Sequence, residues 1–345
     1  MTDRVRLAVA GAGVIGRRHA EAIAAVADAE LVCVVEPNAA AAIGLTVPVI
    51  ESIEDMIAAG GVDGVILATP NAQHEAGALA CIQAALPVLV EKPIATDLHA
   101  AGAITKASEA TGIPVAVGHH RRHNPLIIQA KSLIDKGELG EIASVQVSTW
   151  FKKPDDYFNV EWRRQKGAGP VYLNLIHDID LLLHLVGPVH SVQAMESDAI
   201  RRNEVEDTAV VLLRFTSGAL GTVNICDSIV APWSWELTAR ENPTYPATPE
   251  DCYRIGGTRA SLSLPNLAVW KNGSQPSWSE PISKTQFPFD LTDPLVLQIR
   301  QFASVVRRAE LPRVSASDGL AALAVIEAIK KAAETGMPVV VEELA

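Results

Sequence analysis

The 345-residue chain has only 4 cysteines, Cys33, Cys81, Cys226 and Cys252, far apart and with no C-x-x-C pair. That excludes a disulfide framework and a cysteine-based zinc site, and makes a reducing cytoplasm the expected setting. Basic charge is also scarce: 29 Lys and Arg stand against 40 Asp and Glu, a net charge of -11. A surface shaped for nucleic acid or an anionic membrane would be net positive, so neither is an expected partner. No run approaches the roughly 18 uninterrupted apolar residues that a membrane span needs. The opening Met-Thr-Asp-Arg leads straight into a strand pattern, without the apolar stretch and small-residue cleavage site of a secretion signal. Internal repeats and low-complexity tracts are absent. What is plentiful is apolar side chain, 48% of the residues, enough at this length for the cores of two domains.

The first 120 residues alternate short apolar runs with alanine-rich stretches. Strands are expected at VRLAVA (5–10), LVCVVE (31–36), VDGVILAT (62–69), PVLVEK (87–92) and IPVAVG (113–118), with helices near 14–27, 51–59, 72–85 and 97–111. Nearly continuous apolar strands separated by helices imply a parallel sheet covered on both faces, a doubly wound α/β domain over 1–121. After that the rhythm changes. IASVQVSTW (142–150), DTAVVLLRF (207–215) and ALGTVNICD (219–227) follow without intervening helices, the last two joined by a Thr-Ser-Gly turn. They predict a second, α+β domain over 122–345, built on an open and mainly antiparallel sheet. Residues 241–250 and 273–289 read as loops, and helices close the chain near 294–309 and 317–335.

GAGVIG places Gly11, Gly13 and Gly16, with Val14 and Ile15 between the last two, at the junction of the first strand and first helix. Glycines there let the backbone turn sharply, approach a pyrophosphate and aim the helix N-terminus at it. A bare G-x-G-x-x-G also occurs in turns that bind nothing. Here the second strand ends in Glu36, 20 residues beyond Gly16, where a carboxylate accepts hydrogen bonds from ribose hydroxyls. The following PNAAAA has no Arg or Lys for a 2′-phosphate, so NAD is the expected cofactor rather than NADP.

With ATPNAQH (68–74) after the third strand, EKPIA (91–95) after the fourth and GAGPVYLNLIHDID (167–180) in the second domain, the sequence resembles the Gfo/Idh/MocA oxidoreductases. That family groups glucose-fructose oxidoreductase with inositol 2-dehydrogenase and many sugar dehydrogenases. RIGGTRASLSLPN (254–266) and VSASDGLAALAVIEA (314–328) extend the resemblance over essentially the whole chain. It implies a Rossmann domain and an open sheet that forms homo-oligomers, dimers or tetramers. It also implies that Thr69, Pro70, Asn71 and His74 line the nicotinamide side, with Glu91, Lys92 and Pro93 as the E-K-P motif. Lys92 would face both nicotinamide and substrate, His177 would be the acid/base group, and Asp180 would be its companion. Many members carry an aspartate four residues before the histidine; Leu173 stands there in this chain, and Asn174 could hydrogen-bond substrate or histidine but cannot supply a carboxylate. Either His177 works without that partner, or Asp180 or another residue assists it. With His177, Asn174 and Asp180 are expected substrate contacts.

Oxidising a secondary alcohol requires hydride loss to the nicotinamide, a base for the hydroxyl proton and a group that stabilises the developing alkoxide. Imidazole can accept a proton near neutral pH, which suits His177, and the Lys92 ammonium can hold the oxygen. The duller readings are a surface lysine paired with Glu91 and a core histidine. YLNLIHDIDLLLHLVG predicts a helix stopped at Gly187-Pro188, with Leu173, Asn174, His177, Asp180, Leu181 and His184 on one face. Asp178 points away from that face, elsewhere in the network or to solvent.

GHHRRHNP (118–125) is the densest basic cluster, and either a solvated charge run or a substrate contact through His120 and Arg122. The second option would favour a carboxylated polyol or sugar acid. In WFKKPDDYFNVEWRRQKGAG (150–169), Lys153, Tyr157, Trp162 and Arg163 are candidates for stacking on sugar C–H surfaces and donating to hydroxyls; packing is the alternative. No metal is expected, because the His and Asp at 177, 178 and 180 lack further ligands of clear spacing. The sequence therefore predicts an NAD-dependent dehydrogenase acting on a small sugar, sugar derivative or cyclitol. A catalytically silent NAD-binding sensor or scaffold is the alternative of another class.

Overall fold

The structure, a computed structural model, describes residues 4–38, 40–44, 46–273 and 276–341. Its elements fall into two compact units: the chain through Asn124 with Thr292–Leu323, and Pro125–Leu291 with the chain from Ala324 onward. The single cut expected at 121/122 therefore misses the return of 292–323 to the first unit.

The first unit holds a six-stranded sheet of β1 (Val5–Ala10), β2 (Ala29–Val35), β3 (Val49–Ile50), β4 (Gly64–Leu67), β5 (Val88–Val90) and β6 (Val115–Val117). The order is β3-β2-β1-β4-β5-β6 and every pairing is parallel, which is the doubly wound arrangement. The order reverses between β1 and β4, and ligands bind beyond the carboxyl ends of strands at such a switch point. Helices α1 (Val14–Ala24), α2 (Ile53–Ala59), α3 (His74–Gln83) and α4 (Leu98–Thr111) connect the strands. Asp97 caps α4 by accepting from the Ala100 amide, and Ser52 caps α2 through the Asp55 amide.

One apolar core lies on each face of this sheet. In one of them, Leu7, Val9 and Ile66 of the strands meet Leu295, Ile299 and Phe302. These last come from α8 (Pro294–Val306). Phe302 and Ile299 are fully buried, and side chains of this size each stabilise by about 1.5–3 kcal/mol when removed from water. That apolar face of α8 is why the late segment belongs to the nucleotide-type domain.

The second unit carries α5 (Pro125–Asp135), β7 (Ile142–Trp150), α6 (Ile176–Leu185), β8 (Val189–Ser197), β9 (Thr208–Phe215), β10 (Leu220–Cys226) and the short α7 (Trp235–Thr238). It continues with β11 (Tyr253–Gly257), β12 (Ser261–Leu264), β13 (Ala268–Asn272), β14 (Ile282–Gln286) and β15 (Val339–Val340); α9 (Ala316–Thr335) enters this unit after Leu323. The sheet order is β14-β13-β12-β11-β7-β10-β9-β8-β15. All pairings are antiparallel except β7 with β10. The Thr-Ser-Gly turn makes the expected hairpin, with Leu220 opposite Arg214.

Strand β14 corrects the loop expected over 273–289. All five of its residues are exposed, so it has no apolar alternation for a sequence reading to detect, and it exists by pairing with β13. Strand β8 and helix α5 likewise lie outside the sequence expectations. No helix among the described residues is long and apolar enough to cross a membrane.

Candidate active site

The glycine turn after β1 has a steric reason at two of its positions. Gly11 has φ +99°, and a Cβ there would lie 2.5 Å from the Ala68 carbonyl oxygen. A Cβ on Gly16 would lie 1.9 Å from the carbonyl oxygen of Gly11 itself, so the turn closes only because α1 begins without side chains there. Gly13 differs, since nothing lies within 4 Å of its Cβ position. It is the N-cap of α1 and supplies no side-chain capping bond, which leaves the first amides of the helix as donors for an anion. Val14 is exposed and Ile15 half-buried at this first turn.

A cleft of about 650 Å³ opens here, with Gly11, Gly13, Glu36, Thr69, Pro70 and Gln73 in its wall. Glu36 is oriented by the Ala12 amide on Oε2 and the Asn38 amide on Oε1, both at 2.9 Å. Glu51 and Glu54 also line the cleft and, among the described residues, no Lys or Arg does, an environment that disfavours a 2′-phosphate. The Thr69 hydroxyl is buried with no hydrogen-bond partner among the described residues, an orphaned polar atom that a bound ligand can satisfy. Open space at Gly13, uncapped amides, an oriented carboxylate and this hydroxyl together fit NAD.

Asn71 begins a single 3₁₀ turn, Asn71–Gln73, that leads into α3. His74 corrects one expectation: it is fully buried and cannot touch a cofactor directly. Its Nε2 faces the Thr69 carbonyl at 3.0 Å and its Nδ1 the Pro93 carbonyl at 2.9 Å. Burial pushes its pKa below the ordinary histidine value against the pull of those carbonyls. It thus spans the cleft wall after β4 and the turn after β5, donating to one of the two carbonyls as the neutral ring and to both only when protonated.

That second turn carries Glu91, Lys92 and Pro93. Lys92 is half-buried, and its peptide bond to Pro93 is cis. Glu91 is only 7% exposed, so it is not the surface partner of a surface lysine. His19 Nε2 lies 2.7 Å from Glu91 Oε1, and the Lys92 amide donates to Oε2 at 3.1 Å. Burial alone would raise the Glu91 pKa, but the His19 hydrogen bond and the His19, His120 and Lys92 charges outweigh it and bring it down to about 2.

The basic cluster separates into different roles. His120 is half-buried at the start of a 3₁₀ turn, His120–His123, and its charge acts on Glu91. Arg122 is 4% exposed and pairs with Asp318 at 3.0 Å, whose other oxygen accepts from the Ser315 amide and hydroxyl. Its expected substrate contact is therefore corrected: the guanidinium is fastened to the start of α9. With Arg121 and His123 also buried, the run is neither a solvated surface nor an open anion site.

In the second unit, the helix expected from Tyr172 to Gly187 opens with one π turn, Val171–Leu175, before α6. Gly169, at φ +85°, makes room for Glu206: a Cβ there would meet Glu206 Oε1 at 2.5 Å. That oxygen accepts the Val171 amide at 3.0 Å, and the other takes Lys330 Nζ at 2.7 Å. Sequence reading missed Glu206, which has no local pattern linking it to a helix start 35 residues earlier.

His177 is buried but retains 8% exposure. Asp180, one turn on, is fully buried, which corrects its expected substrate contact: the carboxylate is closed off rather than open to a ligand. Asp178 is not solvated either: its carboxylate takes hydrogen bonds from Thr149 Oγ1 at 3.0 Å and from the Tyr253 hydroxyl, anchoring the helix to β7 and β11.

The structure brings five of the predicted polyol contacts together. Lys153 Nζ donates to Asn174 Oδ1 at 2.8 Å and lies 5.1 Å from the Tyr157 ring centre. The Arg163 guanidinium lies 4.0 Å from the same ring and donates to the Tyr157 carbonyl at 2.8 Å. Trp162 is 52% exposed at the edge of the group, 5.6 Å from Arg163. Two residues outside the predictions hold Lys153: Asp227, 3.3 Å from its Nζ, and Arg201, which bonds both the Lys153 carbonyl and Asp227. Burial lowers the Lys153 pKa, opposed by Asp227.

Comparison with known proteins agrees with this geometry. Residues 5–119 match "Oxidoreductase family, NAD-binding Rossmann fold" and residues 131–341 match "Oxidoreductase family, C-terminal alpha/beta domain". Inositol 2-dehydrogenase 1 of Saccharopolyspora erythraea is 28% identical over 98% of this chain and 96% of its own length. The scyllo-inositol 2-dehydrogenase (NAD(+)) of Bacillus subtilis is 26% identical over 98% of this chain and 97% of its own. Among solved structures, the WlbA dehydrogenase of Bordetella pertussis in complex with NADH and UDP-GlcNAcA superimposes with a TM-score of 0.77 at 26% identity, covering 98% of each chain.

Proposed function

The chain belongs to the Gfo/Idh/MocA oxidoreductase family, and from that premise we propose that it oxidises a secondary hydroxyl of a neutral polyol, a cyclitol or sugar, with Lys92 and His177 as the reacting groups. The observation that carries the reading is the joint made by His74. It fastens the wall of the nucleotide cleft at Thr69 to the turn that bears Lys92, so the lysine is presented at the same edge of the sheet as the cofactor.

NAD supplies the hydride acceptor when bound. Lys92 donates from its ammonium to the hydroxyl oxygen and stabilises negative charge as it develops there. The His177 imidazole takes the hydroxyl proton, with Asp180 one helical turn away as the carboxylate proposed to assist it. Lys153, Asn174, Tyr157 and Arg163 offer donors, an acceptor and an aromatic face for the remaining hydroxyls and C–H surface. A neutral substrate is favoured over a carboxylated one because Arg122 is committed to Asp318.

NADH formation with cyclitols, aldoses, glycosides and their acid analogues, in wild type beside Lys92→Ala and His177→Ala, tests this. Turnover of a neutral member, lost in both variants while NADH still binds, is the expected result. Activity of the variants equal to wild type, or no turnover of any member in either direction, would overturn it and favour a silent NAD-binding protein.

A second copy of the chain is the proposed partner for the open face of the nine-stranded sheet. Register aligns Met195, Val210 and the half-buried Asn224 in one row, and the exposed Gln193, Leu212 and Thr222 in the next. Leu212→Asp should lower the assembly mass by light scattering. No disulfide joins the four cysteines, all of them buried, in accord with a cytoplasmic location.

A further inference from the structure

His19 is fully buried, and its Nδ1 has no hydrogen-bond partner among the described residues. An orphaned ring nitrogen in a core is destabilising, and an apolar side chain would avoid that cost. What the imidazole does have is the 2.7 Å contact from Nε2 to Glu91 Oε1, in which Nε2 donates to the ionised carboxylate. His19 stands three residues after Gly16 on α1, so the helix that starts at the nucleotide turn is the element that reaches Glu91. The other carboxylate oxygen holds the amide of Lys92. Gly118 completes the box: a Cβ there would lie 2.8 Å from the Glu91 carboxyl carbon and push it away.

We propose that His19 is a positioning residue for Lys92, acting through Glu91 to set the lysine turn against the nucleotide-binding helix. This rests on the reading of Lys92 as the group that meets the substrate oxygen. Held by His19 and by a main-chain amide, the carboxylate keeps one orientation and places a fixed negative charge beside the ammonium. Without the imidazole, Oε1 is left as a buried charged acceptor. It then turns toward the nearest donor, and the Lys92 turn moves with it.

Two variants separate the parts. His19→Leu removes the donor, and His19→Gln keeps an N–H at about the reach of Nε2. Lysine methyl signals in NMR of the isotope-methylated, full-length protein, with Lys92 assigned through Lys92→Ala, report the lysine's surroundings directly. In His19→Leu the Lys92 signal should shift and kcat for myo-inositol or another cyclitol that wild type oxidises should fall about 10- to 100-fold. KM and NADH affinity should stay within about 3-fold, and His19→Gln should restore signal and rate. Should His19→Leu fail to fold, His19→Asn serves, its amide being too short to reach Oε1. An unmoved Lys92 signal in a folded variant overturns the inference. If the signal moves while Lys92→Ala keeps full activity, the coupling stands and the assignment of Lys92 to the reaction is what fails.

Discussion

Gly13 and Gly16 belong to one turn, yet the structure assigns them opposite consequences on substitution. In Gly16→Ala the new methyl would lie 1.9 Å from the Gly11 carbonyl oxygen and 2.9 Å from its carbon, both main-chain atoms. No rotamer change relieves that, so the turn must open, at a cost of about 1–3 kcal/mol typical of overpacking. In Gly13→Ala the methyl meets nothing within 4 Å, and the backbone, at φ -69°, is open to any residue. Lost unfolded-state entropy favours alanine by about 0.4–1 kcal/mol, and its weaker N-capping removes a similar amount. Stability should therefore hardly change. The methyl does fill the space where a pyrophosphate would meet the uncapped amides of α1, and a loss of at least 10-fold in NADH affinity, about 1.4 kcal/mol, is expected. NADH fluorescence titration and thermal unfolding on both variants check the pair. Gly13→Ala should bind weakly at an unchanged melting temperature, whereas Gly16→Ala should lose both. Wild-type NADH affinity in Gly13→Ala would refute the placement of the cofactor on this turn.

Three other outcomes follow from the geometry. The Glu91 carboxyl sits at about 2 in the folded protein against an ordinary 4.5, so its contribution is complete above the unfolded value and is lost as pH falls from there toward 2. Denaturant unfolding should show a gap between wild type and Glu91→Gln that shrinks by about 2 kcal/mol between pH 7 and pH 3, out of a full contribution of about 3 kcal/mol; a gap independent of pH contradicts the ionised, His19-bound carboxylate. Gly169→Ala should cost about 2–4 kcal/mol, from a left-handed φ and a methyl against Glu206, and lower kcat by loosening the start of the His177 helix; a neutral effect in calorimetry would mean that Glu206 does not hold that turn. Arg122→Gln should lower the melting temperature through loss of the Asp318 pair yet leave the ratio of KM values for acidic and neutral polyols unchanged; a selective rise for the acids would restore Arg122 as a substrate contact.

Much of the first unit is legible in the sequence because its signals are local. The apolar runs, the glycine spacing and Glu36 at the end of β2 each lie within one strand–turn–helix unit, so pattern alone determines a parallel sheet with an NAD turn. The hairpin of β9 and β10, the helix that carries His177 and the clustering of Lys153, Tyr157 and Arg163 within one loop are legible for the same reason. Tertiary structure alone decided what each polar side chain faces. Arg122 and Asp318 are 196 positions apart, His19 and Glu91 are 72 apart, and α8 returns to a sheet whose last strand ended far earlier in the chain. His74, Arg122 and Asp180 carry the chemistry expected of a site, but each is buried, and His74 and Arg122 hold other segments of the chain instead. Residue type and spacing record which groups a chain possesses; which of them are desolvated, and by whom they are held, depends on contacts between segments that no local pattern encodes.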